Sequence, residues 1–301
     1  MLLGYLQMLN GRGIVMTKCL IFYFSKGGTT EKVAKSIAEG LISSECQVDL
    51  CNIKDSGLPD IKGYDLLGIG TPVYYYRLPS NVIDTLKSLP DLGGMPYFTF
   101  LLHGTYRFDT DVTINKILSS KNAYQVGFYH CYGEGYFIGY LKRGVLFSPN
   151  HPTLNELEQA EKFGKVVMTN FKNNKLVEPD NEQKPSFIYR FERFTTNQWL
   201  SKNLLSKTLK VNRNKCKPCG ICIKECPTNN ISEDADGYPV WGSNCLVCLY
   251  CELKCPKEAI HSAIDWMLFK PFLDYNVQKA LSDPEIDNVS IKLNKGQVER
   301  I

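Results

Sequence analysis

The stretch CLIFYFSKGGTTEKVAKSIAEGL, residues 19–41, joins an apolar run to a glycine-containing turn and then to a segment with helical spacing. Residues 19–24 are continuously apolar, as expected of a strand that is buried on both faces. The turn at 25–30 leads directly into a predicted helix at 30–43, so backbone N–H groups and a helix N-terminus can together bind an anion. The stretch therefore predicts a strand–turn–helix unit with an anion site at its turn.

The same alternation of short apolar runs and longer helical segments continues to about residue 173. The further predicted strands are 47–53, 66–70, 97–102 and 125–130. The further predicted helices are 80–89, 109–119 and 155–173. Short buried strands that alternate with helices predict an α/β fold, in which a doubly wound parallel sheet is covered by helices on both faces.

Composition and charge limit the class of protein. The chain has 301 residues, of which 44% are hydrophobic and 22% charged, and its formal net charge is +4. The length suits two domains, and the charge is too small to indicate a nucleic-acid partner. No apolar run reaches the roughly 18 residues of a membrane span. Residues 1–17 are interpreted as an N-terminal extension that can be disordered, and Met16 is a candidate for the natural first residue.

Eight of the twelve cysteines lie between Cys216 and Cys255, in the runs CKPCGICIKECP (216–227) and CLVCLYCELKCP (245–256). Both runs have the spacing C-x-x-C-x-x-C-x-x-x-C-P. Clustering late in a long chain favours a metal centre in a reducing cytosol over a disulfide framework. In two-cluster modules with this spacing, three cysteines of one run and the fourth of the other hold each [4Fe–4S] cluster.

That rule assigns the cysteines to two clusters. The first cluster would be held by Cys216, Cys219, Cys222 and Cys255. The second would be held by Cys226, Cys245, Cys248 and Cys251. Zinc is the alternative, because C-x-x-C pairs also form zinc ribbons. The remaining cysteines lie on or near predicted strands and are interpreted as small buried hydrophobic residues.

Three predicted loops carry a resemblance to flavodoxins. Ser25, Gly28 and Thr30 match the phosphate loop [ST]-x-T-G-x-T, although Gly27 replaces a hydroxyl residue and Lys26 adds a charge. The segment GTPVYYYRLP, from residue 70, resembles the family's G-[ST]-P-x-Y loop after the third strand. The segment HGTYRFDT, from residue 103, stands where the family has a third flavin loop.

The resemblance implies an FMN site at the switch point of a sheet with strand order 2-1-3-4-5. The candidate FMN-binding residues are Ser25, Lys26, Gly27, Gly28, Thr29, Thr30, Thr71, Pro72, Val73, Tyr74, Tyr75, His103, Gly104 and Thr105. Two other interpretations stay open: the tyrosines can form an ordinary surface loop, and His103 can be a helix-capping or surface residue.

Residues 18–262 together resemble the flavodoxin–ferredoxin fusion family. The resemblance implies a flavodoxin-like α/β domain at 18–173, a linker with a basic and aromatic segment at 174–209, a small α+β two-cluster ferredoxin domain at 210–262 and a tail at 263–301. It also implies a cytoplasmic, oxygen-sensitive flavoprotein that relays electrons between two [4Fe–4S] clusters and FMN. No catalytic dyad or triad is evident.

Two other functions remain open. The protein can be an FMN-dependent reductase of a small, quinone-like acceptor, or a ferredoxin whose flavin-free N-terminal domain only docks a partner. A redox protein is the expected partner. The segment 190–217 carries eight Lys or Arg residues against the single acid Glu192, which would suit an acidic partner, although such a run more often belongs to a solvated helix face.

Overall fold

The computed structural model describes residues 16–57, 60–180, 187–195 and 197–293. The predicted N-terminal extension, apart from residues 16 and 17, lies outside the described residues. So do 181–186 of the predicted linker and 294–301 of the predicted tail.

A five-stranded parallel sheet forms the first half of the chain, with strand order β2-β1-β3-β4-β5. Its strands are β1 (Thr17–Tyr23), β2 (Cys46–Asn52), β3 (Leu66–Pro72), β4 (Pro96–His103) and β5 (Tyr124–Tyr132). The predicted parallel α/β sheet and its strand order are confirmed. Because β1 lies between β2 and β3, the chain reverses its winding direction there, and the carboxyl ends of β1 and β3 enclose a crevice.

Twelve α-helices occur in the described residues. They are α1 (Thr29–Ile42), α2 (Ile53–Ser56), α3 (Ser80–Ser88), α4 (Thr110–Ser119), α5 (Ile138–Leu141), α6 (Leu154–Lys172), α7 (Phe187–Thr195), α8 (Gln198–Asn203), α9 (Ile221–Lys224), α10 (Tyr250–Leu253), α11 (Lys270–Leu281) and α12 (Pro284–Asp287). The four long helices predicted before residue 173 correspond to α1, α3, α4 and α6, with boundaries that differ by at most one residue.

Two apolar layers cover the faces of the sheet. On one face, Val33 and Ile37 of α1 and Val167 of α6 join alternate residues of the strands. On the other, Val82 of α3 and Ile114 of α4 do the same. The strands β1, β3 and β4 therefore bury both faces, which explains their continuous apolar runs, whereas the edge strand β2 leaves Gln47, Asp49 and Leu50 exposed.

The cysteine-rich segment has its own small core and little regular structure. Its strands are β7 (Lys210–Val211), β8 (Ile231–Glu233), β9 (Pro239–Trp241) and β10 (Ile260–His261), which pair as the antiparallel ladders β8–β9 and β7–β10. The helices α9 and α10 follow the second cysteine of each run, after Gly220 and Leu249 in the left-handed conformation. The sequence repeat is therefore also a structural repeat.

The tail folds back on the rest of the chain. Strand β11 (Ser290–Lys292) pairs antiparallel with β6 (Val145–Phe147), and Arg143 forms an ion pair of 2.7 Å with Asp274 of α11. Leu273 of α11 and Val247 of the cysteine-rich segment line one small apolar cavity. Within the described residues, no helix combines the length and the apolar character needed to cross a membrane.

Candidate functional site

The turn between β1 and α1 is held by hydrogen bonds from side chains. Ser25 Oγ accepts a hydrogen bond from the N–H of Gly28 at 3.1 Å, and the Asn52 side chain makes two bonds of 3.2 Å with the Ser25 backbone. Gly28 has φ +87°, which glycine adopts without steric cost. The turn thus delivers the N-terminus of the 14-residue helix α1 to the carboxyl edge of the sheet, where an anion is favoured.

The loop after β3 presents three tyrosines in succession. It is closed by two backbone hydrogen bonds between Tyr74 and Arg77, of 2.9 and 3.0 Å. Tyr75 and Tyr76 have φ values of +50° and +59°, so the loop keeps two residues in a conformation that non-glycine residues seldom adopt. Strained backbone of this kind is concentrated at ligand sites, and it directs successive side chains to different neighbours.

A cavity of about 500 Å³, which we call the large cavity, lies at the carboxyl edge of the sheet, between these two loops and those after β4 and β5. Most of the predicted FMN residues line it: Lys26, Gly27, Thr29, Thr30, Pro72, Val73, Tyr74, Tyr75, Gly104 and Thr105. The remaining four lie behind this lining: Ser25, Gly28, Thr71 and His103.

His103 supports the loop after β4 from behind the lining. The buried ring of His103 hydrogen-bonds through Nδ1 to the Thr105 carbonyl at 2.7 Å, and its Nε2 lies 3.2 Å from Nδ1 of His130. Desolvation, aided by His130, lowers the pKa of His103 to about 3, so the ring is neutral and donates its Nδ1 proton to Thr105. The residue is therefore neither a helix cap nor a surface histidine.

Other lining residues were not predicted from the sequence. The loop after β5, at 133–137, contributes Glu134, Tyr136 and Phe137, and its sequence GEG directly after a strand was the available signal. Cys248, Tyr250 and Lys254 also line the cavity, although they are more than 100 residues away in sequence. The cysteine-rich segment therefore forms one wall of the cavity in the α/β domain.

Lys26 occupies the boundary between these two parts of the chain. Its ammonium lies 3.8 Å from the centroid of the Tyr250 ring and 5.9 Å from that of Tyr74. Burial lowers the pKa of Lys26 through desolvation, and the nearby thiols of Cys248 and Cys251 partly oppose this shift. For Tyr74 burial has the opposite effect: it raises the pKa, so the hydroxyl stays protonated.

The eight clustered cysteines separate into two quartets in space. One small cavity is lined by Cys216, Cys219, Cys222 and Cys255. A second is lined by Cys226, Cys245, Cys248 and Cys251. These quartets have the same membership as the two ligand sets predicted from the sequence. No three His, Cys, Asp or Glu side chains of the described residues are placed to hold a single metal ion.

Backbone N–H groups point at several of these sulfurs. Asn230 N–H donates to Cys226 Sγ, Val247 N–H to Cys245 Sγ, and Ala259 N–H to Cys255 Sγ, each at 3.3 Å. Burial raises the pKa of Cys245 to about 12, because a thiolate is poorly stabilised away from water. A metal centre would be needed to hold such a sulfur as thiolate near neutral pH.

The match to a known family model covers the part of the chain that forms the sheet. Residues 20–135 match the model of the flavodoxin domain. An uncharacterized protein of Methanocaldococcus jannaschii is 28% identical over 164 residues, which cover 51% of this chain and 99% of that protein.

Solved structures give weaker likenesses over the same half of the chain. A flavodoxin from the domain Archaea has a TM-score of 0.40 and 16% identity, and covers 52% of this chain and 99% of its own. Oxidised flavodoxin 2 from Bacillus cereus has a TM-score of 0.39 and 22% identity, with coverages of 51% and 99%. Since both scores are below 0.5, the assignment rests on the family model and on the observed strand order. Residues 20–135 thus resemble a flavodoxin domain in sequence and in strand order, and the cavity opens at the carboxyl edge of this sheet.

Proposed function

We propose that this protein carries electrons between FMN, bound in the large cavity, and two [4Fe–4S] clusters, bound by the two cysteine quartets. One observation carries the proposal. Cys248 lines the large cavity and also belongs to the quartet of Cys226, Cys245 and Cys251. One residue thus borders both sites, so no intervening layer of protein separates them.

The cavity has the features that FMN requires. Its volume lies within the usual range of roughly 300–1,000 Å³ for cofactor sites. The N-terminus of α1, with the hydroxyls of Thr29 and Thr30, would bind the phosphate, and Lys26 adds positive charge on the same side. Tyr74 supplies an aromatic face within the lining for the flavin ring.

The quartets have the features that iron–sulfur clusters require. Each consists of cysteines alone, which are the ligands of [4Fe–4S] clusters, and each draws its fourth member from the other run. The N–H groups directed at Cys226, Cys245 and Cys255 would stabilise negative charge on these sulfurs, which raises a cluster's reduction potential.

When bound, FMN exchanges one or two electrons and each cluster exchanges one, so together they would couple one-electron to two-electron partners. The chain itself would hold the two sites at a fixed separation. Tyr75 of the cavity donates a hydrogen bond of 2.6 Å to the Val247 carbonyl, one residue before Cys248. The ring of Phe137 packs edge-on against the ring of Tyr75, with 5.5 Å between the ring centroids, and this contact helps to fix Tyr75 at the junction.

The first test is a cofactor inventory on protein purified without air. Iron, sulfide and zinc would be quantified, and released flavin would be identified by chromatography. We expect about eight irons and one FMN per chain. Iron without flavin would support the docking-domain alternative, and zinc in place of iron would refute the cluster assignment. Rapid turnover with a soluble quinone would favour the reductase.

A pair of variants tests the junction. Cys248→Ala should lower the iron content by one cluster and slow reduction of the flavin by dithionite. Cys131→Ala, which removes a buried cysteine outside both quartets, should retain all iron and the original rate. Equal iron contents in the two variants would contradict the assignment of Cys248 as a ligand.

A further inference from the structure

The two quartets differ in their access to solvent. Cys226, Cys245 and Cys251 are buried, and Cys248 faces the large cavity. In the other quartet Cys219 is exposed, and Cys216 and Cys222 are partly exposed. A second redox protein could thus approach the quartet of Cys216, Cys219, Cys222 and Cys255, whereas the flavodoxin-like domain covers its neighbour.

The surface around Cys219 is basic with an apolar centre. Lys217 and Lys257 line the cavity of this quartet and are exposed, and Lys215 is exposed beside Cys216. Within the described residues, none of the three lysines forms an ion pair, and no Asp or Glu lines this cavity. The exposed acid Glu258 follows Lys257, and a second exposed acid, Asp236, precedes the lining residue Gly237 but is paired with Arg213 at 3.2 Å.

Apolar groups lie between these charges. Ile221, 36% exposed, lines the cavity together with the exposed Pro218 and Pro256. An apolar centre with a charged rim is the usual composition of a protein-docking surface. We call the surface formed by Lys215, Lys217, Lys257 and Ile221 the lysine face.

Three other basic residues of the segment 190–217 form ion pairs. Arg193 pairs with Asp109 at 2.8 Å, Lys202 with Asp84 at 3.0 Å, and Arg213 with Asp234 at 2.5 Å. These charges hold the segment against neighbouring parts of the chain. Lys207 and Lys210 of the same segment are also exposed and form no ion pair within the described residues, but of the segment's lysines only Lys217 lines the cavity of the Cys219 quartet.

We propose that the lysine face docks an acidic redox protein of the ferredoxin type, and that electrons enter or leave the chain there. The inference rests on the proposed function. In each encounter a reduced partner loses one electron and this protein gains one, and no bond forms or breaks. An electron from a docked partner would enter on the side of the exposed quartet, since none of its four cysteines lines the large cavity.

The experiment measures the affinity for an acidic bacterial two-cluster ferredoxin at low and high ionic strength, with both proteins oxidised. Lys217→Glu/Lys257→Glu should raise the Kd at low salt by about tenfold or more, and most of this loss should vanish at high salt. The control Lys116→Glu/Lys162→Glu changes the net charge equally on α4 and α6, neither of which lines the cavity of a quartet. It should leave the Kd within about twofold.

Equal weakening by both double variants would overturn the proposal, because it would show a general charge effect. No measurable binding by the unaltered protein would overturn it as well. Loss of iron is followed separately by absorbance and iron analysis, so failure of the cluster assignment is distinguishable from failure of the docking surface. A variant that keeps all its iron and loses affinity supports the proposal.

Discussion

The ammonium of Lys26, in the first loop of the flavodoxin-like domain, lies 3.8 Å from the ring centroid of Tyr250 in the cysteine-rich segment. Tyr250 lies between Cys248 and Cys251, so a cation from the first loop is held beside the buried quartet and the large cavity at once. A fixed positive charge in such a position favours added electrons on either side. This contact therefore predicts a measurable effect on reduction potential.

Lys26→Met should lower the reduction potential of the centre at the buried quartet. Removal of one partly screened charge is worth on the order of 1 kcal/mol, or roughly 40 mV for one electron. Potentiometric titration followed by electron paramagnetic resonance measures the shift. Lys32→Met, on the exposed face of α1, is the matched control and should shift neither centre. Equal shifts in both variants would contradict a local role for Lys26.

Tyr75→Phe should loosen the junction between the two halves of the chain. The substitution removes the 2.6 Å hydrogen bond to Val247 and leaves that carbonyl without this donor. We expect a loss of about 1 kcal/mol in the free energy of unfolding and faster amide exchange near residue 247. Tyr238→Phe, in the turn between β8 and β9, should change the unfolding free energy by less. Unchanged exchange near residue 247 would count against the junction.

The low pKa of His103 predicts that the free energy of unfolding depends on pH. Its pKa of about 3 in the folded protein lies below the value of about 6.5 in the unfolded chain, so the unfolded state binds the extra proton. The stability from neutral His103 is complete above about pH 6.5 and decreases as the pH falls towards 3. At pH 5.5 the loss is about 1.4 kcal/mol.

His103→Asn should therefore reduce the difference in stability between pH 7.5 and pH 5.5. Urea unfolding at both pH values measures this difference, and the unaltered protein is the reference. An identical pH dependence in the two proteins would mean that His103 takes up its proton in the folded state as readily as in the unfolded state.

Gly40→Ala should destabilise the flavodoxin-like domain. A Cβ at Gly40 of α1 would overlap the Glu161 carbonyl of α6, because the two helix backbones touch there. Gly164 faces the same contact from α6. Backbone overlap cannot be relieved by a rotamer change, so we expect a loss of roughly 1–3 kcal/mol. Ile42→Ala, an exposed position on α1, should cost less in the same thermal unfolding measurement.

The strands and helices of the sheet could be predicted because their signal is local. A strand buried on both faces must be continuously apolar, and 19–24 and 97–102 show this directly. The strand order came from the resemblance of the loops near residues 25 and 71 to flavodoxins. The structure brings the cysteines of each predicted quartet together at one small cavity, and their role as cluster ligands stays a prediction.

The wall of the cavity built by Tyr250 and Lys254 could not be predicted in this way. Neither residue has a local pattern that distinguishes it from an ordinary exposed position, and their role arises only because the cysteine-rich segment packs over the switch point. The same holds for Glu134 and Phe137, whose loop is recognisable as a turn but not as part of a site. The placement of His103 behind the lining depends on the ring of His130, 27 residues away.

The sequence by itself determined the parallel sheet, the glycine-containing turn after its first strand and the two cysteine runs, because hydrophobic periodicity, glycine conformation and cysteine spacing act over a few residues. Only the tertiary structure decided which quartet adjoins the large cavity, which one remains open to solvent, and which lysines around it stay unneutralised. Those relationships depend on contacts between segments more than 100 residues apart, such as that of Tyr75 with Val247. No local sequence pattern indicates these relationships.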